Sequence, residues 1–253
     1  AAVAPLAAVD LSGVADAQLP QDIEERCAEV QAGLDFEHGP LARALHLRCG
    51  PDRAARLLIA VHHLAVDGVS WRLLVEDFEA AVLALRRGDA VPAVAASTRV
   101  GDWAQALADF TRNSPAIAAS LPYWRAVSQA RAWSLPVVVP ATGAGTAARS
   151  CVRLSVEQTR TLLTRLPARQ ASAPITAALL SALMRALRVW TAASPLRIDL
   201  EGHGRDPIDA PIDLARTVGW FTSLYPVALE LAPQADARAA FDAVDRQLQQ
   251  VPD

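Results

Sequence analysis

Apolar and polar positions follow two different periods along this chain, and the switches between them mark the elements. From Ala44 to Arg48, Leu45 and Leu47 alternate with His46 and Arg48, the two-residue period of a half-buried strand with His46 on its polar face. A turn follows at Cys49-Gly50-Pro51-Asp52, then the apolar run Leu57 to Val61, which reads as a buried strand. The period then changes. Leu74, Phe78, Ala81, Val82 and Leu85 recur at helical spacing up to Arg86-Arg87-Gly88, where arginines suit a helix C-terminus and glycine stops it. Between strand and helix lies a polar knot, His62-His63-Leu64-Ala65-Val66-Asp67-Gly68. Upstream, the pattern predicts a strand over about 4–9, a helix over 21–33 with Ile23, Cys27 and Val30 on one face, and a loop from Leu34 to Pro40 with a solvated His38.

Further on, Trp103, Leu107 and Phe110 share one helical face, and Leu121 to Arg125 reads as a short helical piece. Residues 134–150 carry prolines, glycines and small residues, the composition of a linker. This predicts a first part over 1–133, a linker over 134–150 and a second part over 151–253. In the second part Ala148 to Leu154 reads as a strand, and Ser155 with Gln158 has the form of a capping box. The helix it opens runs through Leu162, Leu163 and Leu166 to a stop at Pro167. Pro174 opens a longer helix with an apolar stripe of Leu179, Leu180, Leu183, Met184, Leu187 and Trp190. Leu196 to Leu200 alternates like a strand and ends in a second polar knot, Glu201-Gly202-His203-Gly204-Arg205-Asp206. Asp213 to Val227 reads as a turn or short helix feeding an apolar strand, and 235–250 as an amphipathic helix carrying Ala240, Phe241, Val244 and Leu248.

Composition narrows the function. Apolar residues make up 52% of 253, enough for a folded core, and the net charge of -3 offers no basic field for nucleic acid. All 24 basic residues are arginine. Without lysine the chain forms no Schiff base and no Walker-type phosphate loop. Three cysteines, widely spaced and without a C-x-x-C, indicate structural thiols in a cytoplasmic protein. No apolar run approaches the ~18 residues of a membrane span, so no membrane partner is expected.

Both knots put ionisable groups where a strand leaves the core. Histidine titrates near neutrality, so the first suits proton transfer. From the residues alone two readings stand for it: polar groups hydrogen-bonded at a core boundary, or an acid–base site. His62 should point away from His63, as neighbours in a strand do, which favours a structural role. Asp67-Gly68 suits a tight turn, with Gly68 free to take a positive φ. In the second knot Glu201 is a cap, a surface carboxylate or an acid–base group, His203 braces a turn or titrates, and Arg205 and Arg216 are ordinary ion-pair arginines or site residues. A metal held by His62, His63, Asp67 and His203 is disfavoured by the divergence of adjacent histidines, and no metal is expected.

The spacing HHLAVDG matches the HHxxxDG signature of the condensation-domain superfamily, which includes chloramphenicol acetyltransferase and domains of nonribosomal peptide synthetases. GVSWRLLVEDF, EGHGRD and DLARTVGWFTSLYPV resemble the epimerization branch, whose signatures are EGHGRE and RTVGWFTSxYPV. Asp206 stands where that branch usually has Glu, and 134–150 lacks its Asp-His-Pro-type element. The family's N-terminal segment and C-terminal motifs have no counterpart here. The resemblance implies an α/β (α+β) fold, a two-lobed chloramphenicol acetyltransferase-like sandwich incomplete at both ends.

It also implies a cofactor-independent isomerase. Such a domain inverts the α-carbon of an aminoacyl or peptidyl thioester on the phosphopantetheine of an upstream peptidyl carrier domain, beside other synthetase domains. One group removes the α-proton and another returns it to the opposite face. His63 and Glu201 are the catalytic candidates. His62, Asp67 and Gly68 are supporting residues; the enolate would be stabilised by a hydroxyl of Ser70 or Tyr225, by backbone N–H groups near Gly68 or Gly219, or by the His63 imidazolium. Two other readings remain: a condensation domain forming a peptide bond, which would use His63 but not Glu201, and an inactive docking fragment.

Overall fold

The computed structural model describes residues 6–94, 96–130, 150–165, 174–191 and 195–252. They mix helix and sheet in the order β1 (Leu6–Asp10), α1 (Leu19–Ala32), β2 (Ala42–Arg48), β3 (Arg56–Val61), a 3-10 turn (His63–Ala65), α2 (Gly68–Arg87), α3 (Val100–Asn113), α4 (Pro115–Gln129), α5 (Val156–Arg165), α6 (Pro174–Thr191), β4 (Leu196–Gly202), β5 (Ser223–Leu229) and α7 (Ala237–Leu248). The described residues divide into two compact units. One takes 1–112 and 203–223, the other 113–202 and 224–253. The expected linker at 134–150 falls within the second unit's span, while His203 to Asp206 of the second polar knot and all of RTVGWFTS return to the first. That linker, up to position 149, lies outside the described residues.

In the first unit β2 is the middle strand, parallel to β1 and antiparallel to β3, with Leu45 opposite Leu58. The alternation of β2 turns Leu45 and Leu47 inward, where Leu11 and Cys49 join them and α1 covers them with Leu19, Ile23, Cys27 and Val30. Expected as fully buried, β3 is half-buried: Leu57 and Ile59 face outward while Ala60 is buried and Leu58 packs on the core. Among the described residues α1 covers one face of the sheet, so the other face of β3 keeps its apolar side chains in the open. The returning segment is fastened to α3. Leu214 and Phe221 pack on Trp103 with Ile208 and Ile212 beside them. Thr98 clamps the same segment: its N–H donates to the Asp213 carbonyl at 3.1 Å, and its hydroxyl accepts from the Asp213 N–H at 3.0 Å.

In the second unit β4 pairs with β5. Its core joins Ala177, Leu180 and Met184 of α6 to Val227 and Leu229 of β5 and to Ala240 and Val244 of α7. The capping box forms: the Ser155 N–H donates to the Gln158 side-chain carbonyl at 2.8 Å, and the Gln158 N–H to the Ser155 hydroxyl at 3.1 Å. The predicted strand before it does not form. Positions 150–154 have no regular structure, and Val152 is 93% exposed. An extended segment with no neighbouring strand leaves its N–H and C=O groups to water; Ala148 and Arg149 lie outside the described residues. The short piece at 121–125 is the middle of fifteen-residue α4, which runs through Pro122. Of the α6 stripe, Leu180 and Met184 are buried while Leu179 and Leu183 are exposed, because the core takes a narrower arc than the leucines occupy. Leu166, Pro167 and the Trp190 side chain fall outside the described residues.

Candidate functional site

The knot after β3 is built by two caps in succession. His62 is extended, and its Nδ1 accepts from the Leu64 N–H at 3.2 Å, capping the 3-10 turn. Its ring lies 6.0 Å from that of Phe36. His63 goes elsewhere: it is exposed, and its ring meets Trp220 edge-on at 5.5 Å with 67° between planes. The two imidazoles thus have different neighbours. Asp67 then caps α2, with Oδ1 accepting from the Ser70 N–H at 2.7 Å. Gly68 is the first residue of α2, with none of the positive φ expected for a turn. The helix begins one residue earlier than a turn would allow because Asp67 supplies the cap. A Cβ at Gly68 would meet open space.

Asp67 is 3% exposed. Both carboxylate oxygens accept from Arg205 Nη2 at 3.2 Å, and Oδ2 accepts from the Phe221 N–H at 3.2 Å. Arg205 is itself 9% exposed. Its Nη1 donates to the carbonyls of Leu214 at 3.0 Å and Thr217 at 2.7 Å, and its guanidinium carbon lies 4.1 Å from the Phe221 ring centre. Ser70, fully buried, completes the cluster. Its hydroxyl donates to the Gly219 carbonyl at 2.9 Å and accepts from the Gly219 N–H and Arg205 Nη2, both at 3.1 Å. Burial pushes the Asp67 carboxyl up. Hydrogen bonds from Ser70 and Phe221, with the Arg205 charge, outweigh that and hold it below its ordinary value.

These contacts bear on the candidates for enolate stabilisation. The Ser70 proton and the Gly219 N–H are both used inside the cluster, so neither is free for a substrate oxygen. Gly204, next to Arg205 in the chain, has φ +63, and a Cβ there would fall on the Phe221 carbonyl. Glu201 is exposed near the end of β4, and Tyr225 is half-buried in β5, packed against the core of the second unit. Burial raises the Tyr123 phenol, and Tyr225 adds to that shift. His203 Nδ1 accepts from the Arg205 N–H at 3.0 Å and braces the turn. Arg216 pairs with Asp77 and Glu76 of α2. Among the described residues no three or more His, Cys, Asp or Glu are placed to hold a metal ion, and no helix is long and apolar enough to cross a membrane.

The first unit also holds a cavity of about 680 Å³, lined among others by Arg72, Trp103, His203, Asp206 and Ile208. His63 does not line it, so this cavity and the exposed imidazole are separate features. Sequence reasoning left Arg205 as one of two interchangeable arginines and did not single out Trp220. The usable signal for Arg205 was Asp67 itself, since a buried carboxylate needs a cation or several donors. Nothing in the spacing foretold the contact of Trp220 with His63.

A family profile described as Condensation domain matches residues 1–253. The chain is 38% identical over 250 residues to one of the linear gramicidin synthase proteins of Brevibacillus parabrevis, covering 98% of this chain and 5% of that protein. Among solved structures it is similar to the epimerization domain from the third module of tyrocidine synthetase B. The TM-score is 0.83 at 29% identity, covering 98% of this chain and 54% of that one. The first condensation domain of the calcium-dependent antibiotic synthetase shares the fold, with a TM-score of 0.71 at 23% identity, over 97% of this chain and 55% of that one. The mixed helix-and-sheet architecture is that of condensation domains, as expected, and the chain spans about half the length of those solved domains.

Proposed function

The chain belongs to the condensation-domain family, and from that membership we propose that it inverts the α-carbon of an aminoacyl or peptidyl thioester carried on a carrier domain's phosphopantetheine. The observation that carries the proposal is the likeness to an epimerization domain over 98% of this chain, in a sequence that reads EGHGRD and RTVGWFTSLYPV. The phosphopantetheine arm belongs to the substrate. The partners in this reading are an upstream peptidyl carrier domain and neighbouring synthetase domains.

A thioester acidifies its α-proton, but water at neutral pH is too weak a base to remove it. In the proposed reaction one of His63 and Glu201 takes the proton and leaves an enolate, and the other delivers a proton to the opposite face. No electron is gained or lost and no cofactor is consumed. Both side chains are exposed, as groups that meet a substrate must be. The buried Asp67–Arg205 pair fixes the loop that carries His63 and takes no part in proton transfer.

The test is α-proton exchange. The protein is incubated in deuterated water with an aminoacyl-loaded carrier domain, the thioester is hydrolysed, and deuterium and chirality are read together. Epimerization gives deuterium with D/L mixing, lost in both His63→Ala and Glu201→Gln. Amide formation with a second loaded carrier, without exchange, would place the protein among condensation domains and leave Glu201 without a role. Carrier binding with neither reaction would leave a docking module.

A further inference from the structure

We propose that Trp220 is a positioning residue for the His63 imidazole, and that the buried Asp67–Ser70–Arg205 cluster acts on that ring through it. The inference deepens the epimerase reading, on which its turnover arm rests, but the contact itself stands on geometry alone. An exposed imidazole turns among several rotamers, and a proton-transfer group must be held. Among the described residues no hydrogen bond fixes the His63 ring; its contact is the edge-on indole of Trp220 at 5.5 Å.

Trp220 is well placed to hold it. From 217 to 221 the chain alternates: Thr217, Gly219 and Phe221 are buried while Val218 and Trp220 are exposed. Each buried position is tied down. Arg205 takes the Thr217 carbonyl, Ser70 takes both the N–H and the carbonyl of Gly219, and Asp67 takes the Phe221 N–H. The backbone of Gly219 is packed closely, since a Cβ there would lie 2.7 Å from Val100 Cγ2 and 2.8 Å from Phe221 Cε2. The backbone on both sides of Trp220 is therefore anchored, and the indole between the anchors projects to the other side, against His63. The cluster sets the loop backbone through Asp67, and it reaches the His63 ring itself through Trp220. In the proposed reaction the aromatic wall limits the imidazole to one orientation without spending either ring nitrogen.

The experiment uses the full chain with ¹³C-labelled histidine. His63→Gln identifies the His63 ring protons among the five histidines. The indole ring current displaces those signals from free-histidine positions. Trp220→Leu should return them there and remove cross-peaks to indole protons, while Trp220→Phe keeps most of the displacement. Ser70→Ala, which frees Gly219, should move the signals part of the way. With Trp220→Leu already in place it should add nothing, the non-additivity of one route. In the exchange assay Trp220→Leu should lower kcat about tenfold with KM unchanged, and Trp220→Phe should restore most of it. Unmoved His63 signals in Trp220→Leu would overturn the proposal, and so would a Ser70→Ala shift of equal size with and without the indole. If the parent protein shows no exchange, the epimerase reading fails, and the spectra still decide this one.

Discussion

Arg205→Met separates the work of the buried ion pair from that of the chain around it. Methionine retains an unbranched apolar stem to cover the Phe221 ring but brings no charge and no donor. Asp67, 3% exposed, would keep the N–H groups of Ser70 and Phe221 and lose its cation, and the carbonyls of Leu214 and Thr217 would lose their donor. Removing one partner of a buried pair costs about 3–5 kcal/mol, because the other charge stays buried. With a urea slope of about 2 kcal/mol per molar, the midpoint of the first unit should fall by about 2 M. Tryptophan fluorescence reports it, since Trp103 lies in the core that Phe221 joins. Asp67→Asn in the same background should cost far less than in the parent, with a coupling of about 1–3 kcal/mol. The pH dependence has a fixed sign. The Asp67 carboxyl is held below its ordinary value, so its contribution is complete above about pH 4 and is lost as pH falls through the lower folded value. The gap between parent and variant should therefore be flat from about pH 5 to 8 and shrink below about pH 4. A midpoint within about 0.3 M of the parent's, in place of the ~2 M fall, would refute the reasoning. So would a gap that persists undiminished at about pH 3.

Three further outcomes are expected. Gly204→Ala should cost more than about 2 kcal/mol, since φ +63 and the Phe221 carbonyl both oppose a Cβ; a parent-like urea midpoint would contradict this. Arg216→Ala should change stability by no more than about 0.5 kcal/mol and less in high salt, because its pairs with Asp77 and Glu76 are part-exposed, in contrast to Arg205. Ser155→Ala should weaken the start of α5 by about 1 kcal/mol, read as roughly fivefold faster hydrogen exchange at the Gln158 amide, with the urea midpoint of the first unit unchanged.

The elements legible in the sequence are those set by local rules. The hairpin of β2 and β3, the stop of α2 at Gly88 and the Ser155–Gln158 box each depend on residues within a few positions. The fold class followed from the family resemblance that the two polar knots carry. What was not legible depends on distance. Asp67 and Arg205 are 138 positions apart, and nothing near Asp67 says which of 24 arginines reaches it. Positions 150–154 have the composition of a strand, but composition does not supply a neighbour to pair with. The Leu57 to Val61 run is apolar on both faces, so its pattern does not reveal which face stays open. Trp220 reads as one more aromatic in an apolar run until the anchors on either side of it are seen.

The first unit is assembled from two stretches of chain, 1–112 and 203–223, with most of the second unit's sequence between them. On a ribosome this sets an order of events. When residue 112 has been made, Asp67 has no cation and Trp103 has no Phe221 to pack on; Arg205 comes 93 residues later and Phe221 109 residues later. At about 5–20 residues per second, the delay is on the order of ten seconds. The nascent protein thus spends that interval with the Asp67 carboxylate paired to water in place of Arg205, and with an uncovered indole. The loop bearing His63 acquires its final shape only after a large intervening segment has been synthesised. A premature stop before the codon for Arg205 would release a chain in which that loop is never locked.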